Sequence, residues 1–253
     1  MEARRVAGET SRLPQTSSTG PLRGRALTRW ASFDCYGTLI DWNAGIRSEL
    51  ERLFGRDAAP RLLERYHELE PQLEREEPSR SYREVLRLAL ERLAADENVR
   101  LPDEERDALG DSLPSWKPFP EVPRALAAAR ARGWKLAILS NTDPDFLAAS
   151  CEQIGVPFEL SIVASEIGSY KPEHRHWQRF LEQSGADRAR YVHVAASLFH
   201  DIAPANELGL TSIWVNRLRE RPVAQQPTRE ISDLEPLPDV LDELVPAPEK
   251  EMI

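Results

Sequence analysis

Two carboxylates, one amine and several hydroxyls stand in short clusters, each just beyond an apolar run. Asp34 follows Trp30-Ala31-Ser32-Phe33 and precedes Cys35-Tyr36-Gly37-Thr38; Ser140 and Asn141 follow Lys135–Leu139. Lys171 lies in Ser169-Tyr170-Lys171-Pro172, and Asp201 ends Ala196-Ser197-Leu198-Phe199-His200-Asp201. A carboxylate can attack an electrophilic centre and carry a covalent intermediate, and an amine can hold it charged and aimed. A second carboxylate can orient or deprotonate the water that resolves the intermediate, and hydroxyls can hold the nucleophile or substrate oxygens. Each residue also has a plainer reading. Asp34, Thr38 and Ser140 can cap turns, Lys171 can sit on the surface, and Asp201 can face a helix dipole. Lys171 is one of four lysines beside 29 arginines, and an ammonium is not interchangeable with a guanidinium in reach or acidity. One or two polar groups at strand ends are ordinary; four complementary ones point to chemistry.

The elements that must position them follow from periodicity. Residues 46–113 repeat leucines and aromatics at helical spacing, with Glu and Arg between, and predict three or four helices closed by Pro114, Pro118 and Pro120. Beyond them the pattern alternates. Helix 121–132 stops at Gly133, strand Lys135–Leu139 follows, and a helix runs from Asp143 or Pro144 to about Gln153. Next come strand Leu160–Val163, helix His174–Ser184, strand Tyr191–Ala195, helix Ile202–Leu208, strand Thr211–Val215 and helix Pro236–Leu244. The polar stretch 218–235 reads as a loop. Such alternation predicts a doubly wound, Rossmann-like α/β fold with a parallel sheet and an all-helical insert after its first strand. Ligands in such sheets bind beyond the carboxyl ends of the strands, where the four clusters fall. The expected layout is a disordered tail over 1–28, a core of 29–45 and 118–253, and a helical domain of 46–117.

FDCYGTL, ILSN, SYKP and SLFHDI, in this order and spacing, resemble the four motifs of the haloacid dehalogenase superfamily, and residues 46–117 resemble its cap. The resemblance implies Asp34 as nucleophile, Lys171 as its ion-pair partner and Asp201 in the water step. It implies Thr38, Ser140, Asn141, Tyr36 and Ser197 around the substrate. Phosphatases of the superfamily carry a second Asp two residues after the nucleophile, as acid and base for the leaving group. Tyr36 stands there, as in the 2-haloacid dehalogenase branch, whose halide leaves without a proton. Ala196 replaces an Asp of the magnesium-dependent members, so no metal and no other cofactor is expected. The dehalogenase pattern is itself modified: Ala196 and Leu198 stand for Ser and Asn, Trp177 stands for a Tyr, and the cap Arg position falls near His67, with Arg65 on another helical face. His200 is read as a surface or packed histidine, with a base as the alternative. Trp42 is read as a wall of an apolar pocket and Cys35 as packed into the sheet.

Apolar residues make up 41% of the 253-residue chain, enough for a core; the net charge is −9. That charge gives no reason to expect nucleic acid or an anionic membrane as partner. Cys35 and Cys151 do not make a disulfide framework, which fits a cytoplasmic protein. The expected partner is a small molecule, a 2-haloalkanoic acid, with a homodimer suggested by the resemblance. The alternatives are a magnesium-dependent phosphatase acting on a small phosphate ester, and a catalytically quiet binding protein.

Overall fold

Why the apolar runs become strands of one sheet is visible in their alternation. In the computed structural model, which describes residues 28–222 and 224–248, β1 (Arg29–Phe33) turns Ala31 and Phe33 to one face and Trp30 to the other. Both faces are buried, which is what a parallel sheet covered on two sides requires. The expected N-terminal tail lies outside the described residues, apart from Thr28. Strands β2 (Trp134–Ser140), β3 (Leu160–Val163), β4 (Tyr191–Ala195), β5 (Thr211–Val215) and β6 (Arg229–Ile231) join β1 in the order β3-β2-β1-β4-β5-β6, all parallel. The order reverses direction between β1 and β4, so the switch point lies between the strands that lead to Asp34 and Asp201.

Helices α1 (Trp42–Phe54), α2 (Ala59–Glu76), α3 (Tyr82–Asp96) and the short α4 (Ala108–Ser112) form the insert between β1 and the remaining strands. Then come α5 (Val122–Ala131), α6 (Pro144–Ile154), α7 (Ala164–Ile167), α8 (Arg175–Ser184), α9 (Ala203–Glu207) and α10 (Leu237–Leu244). Val122, Leu126 and Ala129 of α5 and Leu237 and Leu241 of α10 share a core with Phe33, Ile138 and Val194. That core continues without a break into Leu62, Leu73, Val85 and Leu90 of the insert. On the opposite face, Trp177 and Phe180 of α8 pack with Trp30, Leu139 and Tyr191. Among the described residues, no helix is long and apolar enough to cross a membrane.

Two sequence expectations change. The helical block begins at Trp42, four residues early, because Asp41 caps α1 by accepting from the Ala44 N–H at 3.1 Å. Within α1, Gly45 leaves room for Trp116; a Cβ there would meet the indole at 2.5 Å. Within 218–235, read as a loop, β6 adds an edge strand of three residues. Arg229 and Glu230 are exposed and Ile231 alone is buried, so no alternation marks it.

Candidate active site

The site begins with a turn that the sequence imposes on the end of β1. Asp34 extends the ladder by one bond, its N–H donating to Val194 O at 3.1 Å, and the chain then reverses through Leu39 N to Cys35 O. Gly37 sits at φ +83°, and any side chain there would strike the Trp42 indole, 2.7 Å from the Cβ position. The turn brings Thr38 back beneath Asp34. Its hydroxyl donates to Asp34 Oδ2 at 2.8 Å and accepts the Ala196 N–H at 2.9 Å, tying the loops after β1 and β4 together.

Lys171 comes from the loop between α7 and α8 and is fully buried. Its ammonium donates to Asp34 Oδ1 at 2.9 Å, Leu139 O at 2.9 Å and Asp201 Oδ1 at 2.7 Å, so all three of its protons are placed. Burial opposes its charge, but Asp201 and Asp34 outweigh that and push its pKa up. Asp201 is also buried, which alone would raise its pKa; Lys171 and a hydrogen bond from His193 bring it well below the usual carboxylate range. Asp34 is moved up by burial, Lys171 offsetting only part, and the charge of Asp201 adds to the rise.

Behind Asp201 runs a buried chain that the sequence reading missed. His193 Nε2 lies 3.0 Å from Asp201 Oδ1, its Nδ1 is 2.7 Å from Ser32 Oγ, and that oxygen is 2.6 Å from Tyr191 OH. The consistent assignment has Tyr191 donating to Ser32, Ser32 donating to Nδ1, and Nε2–H donating to the carboxylate. Asp201 Oδ2 accepts no hydrogen bond from a described residue. A histidine inside the apolar run Tyr191–Ala195 was the available signal, since a buried polar side chain requires partners.

These groups floor a cavity of about 890 Å³ between the strand ends and the helical insert. Ser140 lines it, its hydroxyl buried and without a partner among the described residues. Asn141 also lines it, but its amide is engaged: Oδ1 accepts from Lys171 N–H at 2.7 Å and Nδ2 donates to Lys171 O and to both oxygens of Glu74. Tyr36 presents its ring to the cavity, stacks on Tyr82 and bonds Ser150 Oγ through its hydroxyl at 3.1 Å. Ser197 accepts the His200 N–H at 3.0 Å, capping the π-helical turn Leu198–Ile202 that carries Asp201. Trp42 walls the cavity, Phe199 lines it while 48% exposed, and Trp177 is core. Cys35 is buried in the sheet core, and both cysteines are free. Arg65 turns outward to Glu68 and Asp96, whereas His67 lines the cavity and reaches Asn43 Oδ1 at 2.8 Å.

Sequence reading passed over two further residues of α2, Glu70 in the cavity roof and Glu74 one turn on. Both are buried. Tyr82 OH donates to Glu70 Oε1 at 2.6 Å and Tyr66 OH to the same oxygen at 3.2 Å. Glu74 faces Asn141 and lies 3.7 Å from His200 Nε2. Their signal was a glutamate on the stripe of Leu62, Tyr66, Leu69 and Leu73.

The donor set does not fit a divalent cation. The Lys171 ammonium takes an oxygen of both Asp34 and Asp201, and Ala196 contributes no side-chain oxygen between them. Among the described residues, no three His, Cys, Asp or Glu side chains cluster as metal ligands.

Known proteins share this fold. The family model for haloacid dehalogenase-like hydrolases matches residues 28–209. An (S)-2-haloacid dehalogenase of Pseudomonas sp. (strain YL) is 29% identical over 213 residues, 80% of this chain and 90% of that one. The crystal structure of an L-2-haloacid dehalogenase superposes with a TM-score of 0.78 at 24% identity, covering 85% of this chain and 99% of the other. An L-2-haloacid dehalogenase of Xanthobacter autotrophicus with chloropropionic acid covalently bound superposes at 0.74 with 19% identity, covering 85% and 98%. With a turn-held aspartate at the switch point and a family match across most of its length, the chain belongs to the haloacid dehalogenase-like hydrolases.

Proposed function

We propose that the protein hydrolyses the carbon–halogen bond of a small 2-haloalkanoic acid through an ester on Asp34. The observation that carries the reading is the company of Asp34. Lys171 and Thr38 hold both its oxygens in place, and Tyr36, two residues on, is turned to Ser150 instead of toward a leaving group. A nucleophile without a neighbouring acid suits a leaving group that departs as a weak base.

An Asp34 oxygen attacks C2 in line, the carbon–halogen bond breaks, and halide leaves with the bonding pair. Water then adds to the ester carbonyl carbon of Asp34, giving up its proton to Asp201, whose Oδ2 is free of other partners. Collapse breaks the bond between that carbon and the ester oxygen, which leaves as an alkoxide and takes the second water proton from the new carboxyl; this releases the 2-hydroxy acid, restores the Asp34 carboxylate and leaves the first proton to pass from Asp201 to solvent. One oxygen of Asp34 then derives from water. Lys171 stabilises the nucleophile before attack, and His193 keeps the Asp201 carboxyl aimed. Ser140 and Ser197 contact the substrate from the floor. The reading takes 46–117 as a cap domain over a core of 29–45 and 118–253. It also places the protein in the cytoplasm, as a homodimer.

The test is a panel of 2-haloacids and phosphate esters, each with magnesium and with chelator. Halide release that survives chelation is expected; phosphate release restored by magnesium overturns the reading, and no turnover of either class supports a binding protein. In Asp201→Asn, the first equivalent of halide is released and intact-mass measurement shows the acyl group retained on Asp34, with steady turnover down roughly 10²- to 10⁴-fold. Failure to release that first equivalent would place Asp201 in the displacement itself.

A further inference from the structure

The cavity has a charged floor and a roof that presents no paired cation. His67, where the resemblance puts an arginine, has its pKa lowered by burial. Arg47 and Arg221 reach the lining only at the exposed rim, and Arg217, on the core side, is taken by Glu121 at 2.7 Å and Thr38 O at 2.8 Å. A carboxylate substrate entering above Asp34 therefore needs another partner on the helical side.

Glu70 is built to be that partner. Both phenols donate to Oε1, which makes it the carbonyl-like oxygen. Oε2 accepts from no described residue, and Glu70 lines the cavity. An acid proton therefore belongs on Oε2, pointed where a substrate anion would lie. The titratable groups facing Glu70 are Tyr66 and Glu74 on its own helix, Tyr82 from α3, and Tyr170 and Asp34 from the core. None of them is a cation.

We propose that Glu70 is a specificity-determining residue that, as a neutral acid, donates a hydrogen bond to the substrate carboxylate in place of a guanidinium. The inference rests on the haloacid reading for its substrate and deepens it. Burial pushes the Glu70 carboxyl up to about 7; the two phenols pull the other way and the charge of Asp34 adds to the rise. The group is thus mostly protonated below neutrality and must take up a proton when an anion binds above it. Above that point, anion affinity falls about tenfold per pH unit, because the competent form is depleted at that rate.

The experiment is calorimetric titration of the full-length protein with propionate, a non-reactive carboxylate, between pH 6 and 8.5, in buffers of differing protonation enthalpy. At pH 8, binding to the wild type is expected to take up about one proton. In Glu70→Gln, which keeps a carbonyl for the phenols and an N–H donor for the ligand, uptake disappears and affinity becomes flat with pH. Tyr82→Phe removes a bond that favours the ionised form, so the alkaline fall moves to higher pH. Halide release from 2-chloropropionate, measured on the same proteins, separates the two ideas. Release with propionate binding that is unchanged by Glu70→Gln overturns the role of Glu70 and leaves the reaction intact. Proton-linked propionate binding without halide release overturns the reaction and keeps the carboxylate site. Binding that is lost in Arg47→Ala and unaffected in Glu70→Gln places the anion at the rim and overturns the inference.

Discussion

The floor and roof of one cavity solve the same problem in opposite ways. Below, one ammonium is shared between two buried carboxylates at 2.9 and 2.7 Å; it holds Asp201 well below the usual carboxylate range and offsets part of the rise that burial gives Asp34. Above, Glu70 and Glu74 are buried with no cation in hydrogen-bond reach, and both have pKa values raised by burial. His67 of the roof, and His200 facing it from the turn that carries Asp201, are moved the other way by the same cause, His200 to about 4. Every one of these four is driven toward its neutral form. The lesson concerns what burial allows: an ion persists when its counter-ion is built in, and otherwise gives up its charge. A charged floor suits a nucleophile, and a neutral roof admits an anion without repelling it.

The comparison breaks first if the floor does not depend on its shared ammonium. In Lys171→Met, two buried carboxylates lose their shared counter-ion, and unfolding free energy is expected to drop by about 3–5 kcal/mol. Halide release should fall roughly 10²- to 10³-fold, as one fixed electrostatic contact is lost. Adding Asp201→Asn to that variant removes one of the unpaired charges, so the double variant should be more stable than Lys171→Met alone. Chemical denaturation of the three proteins checks this, and equal stability of single and double variants would mean that the floor is not an ion cluster.

The roof offers a smaller effect of opposite sign. Glu70 binds its proton more tightly when folded, its pKa rising from 4.5 to about 7. Between those values the native state holds more proton than the unfolded chain, so stability falls as pH rises through the window and stays reduced above it. The full cost is about 3 kcal/mol. Glu70→Gln carries no such cost, so at pH 8 it should melt higher than the wild type, by about 5–10 °C, and the gap should close by pH 4.5. A gap that persists at pH 4.5 would assign the gain to packing instead of ionisation.

Much of this was legible before the structure, and unevenly. The floor residues follow apolar runs, and strand ends at a switch point are where chemistry is expected, so Asp34, Lys171 and Asp201 stood out by position. Five of the six strands were legible as buried apolar runs; β6 was not, because Arg229 and Glu230 face solvent and one buried isoleucine makes no pattern. The roof residues were hidden by their helix. Glu70 and Glu74 sit among Glu64, Glu68 and Glu76, and a helix in which eight of eighteen residues are charged conceals which glutamates face inward. His193 was hidden by its apolar neighbours. Side-chain engagement was beyond reach altogether: nothing in the sequence says that the Asn141 amide is taken by Glu74 and the Lys171 main chain, or that the Tyr36 hydroxyl goes to Ser150.

The smallest expected effect tests where the helical side meets the substrate. By resemblance, an arginine of the cap belongs near His67, and Arg65 is the arginine at hand. Arg65 is 41% exposed and pairs with Glu68 at 2.8 Å and Asp96 at 3.2 Å, on the face of α2 away from the cavity. Exposed pairs of this kind contribute little, so Arg65→Ala should change unfolding free energy by less than about 1 kcal/mol and leave kcat/KM for 2-chloropropionate within about twofold. His67 lines the cavity against Trp42. Its pKa is lowered, so near neutrality it contributes shape and not charge. His67→Ala should therefore raise KM by roughly two- to tenfold without creating a new pH dependence. Steady-state kinetics at pH 6 and 8 on the two variants decide between the positions. A large loss in Arg65→Ala with His67→Ala silent would mean that α2 presents its other face to the substrate, and the neutral roof would no longer describe the site.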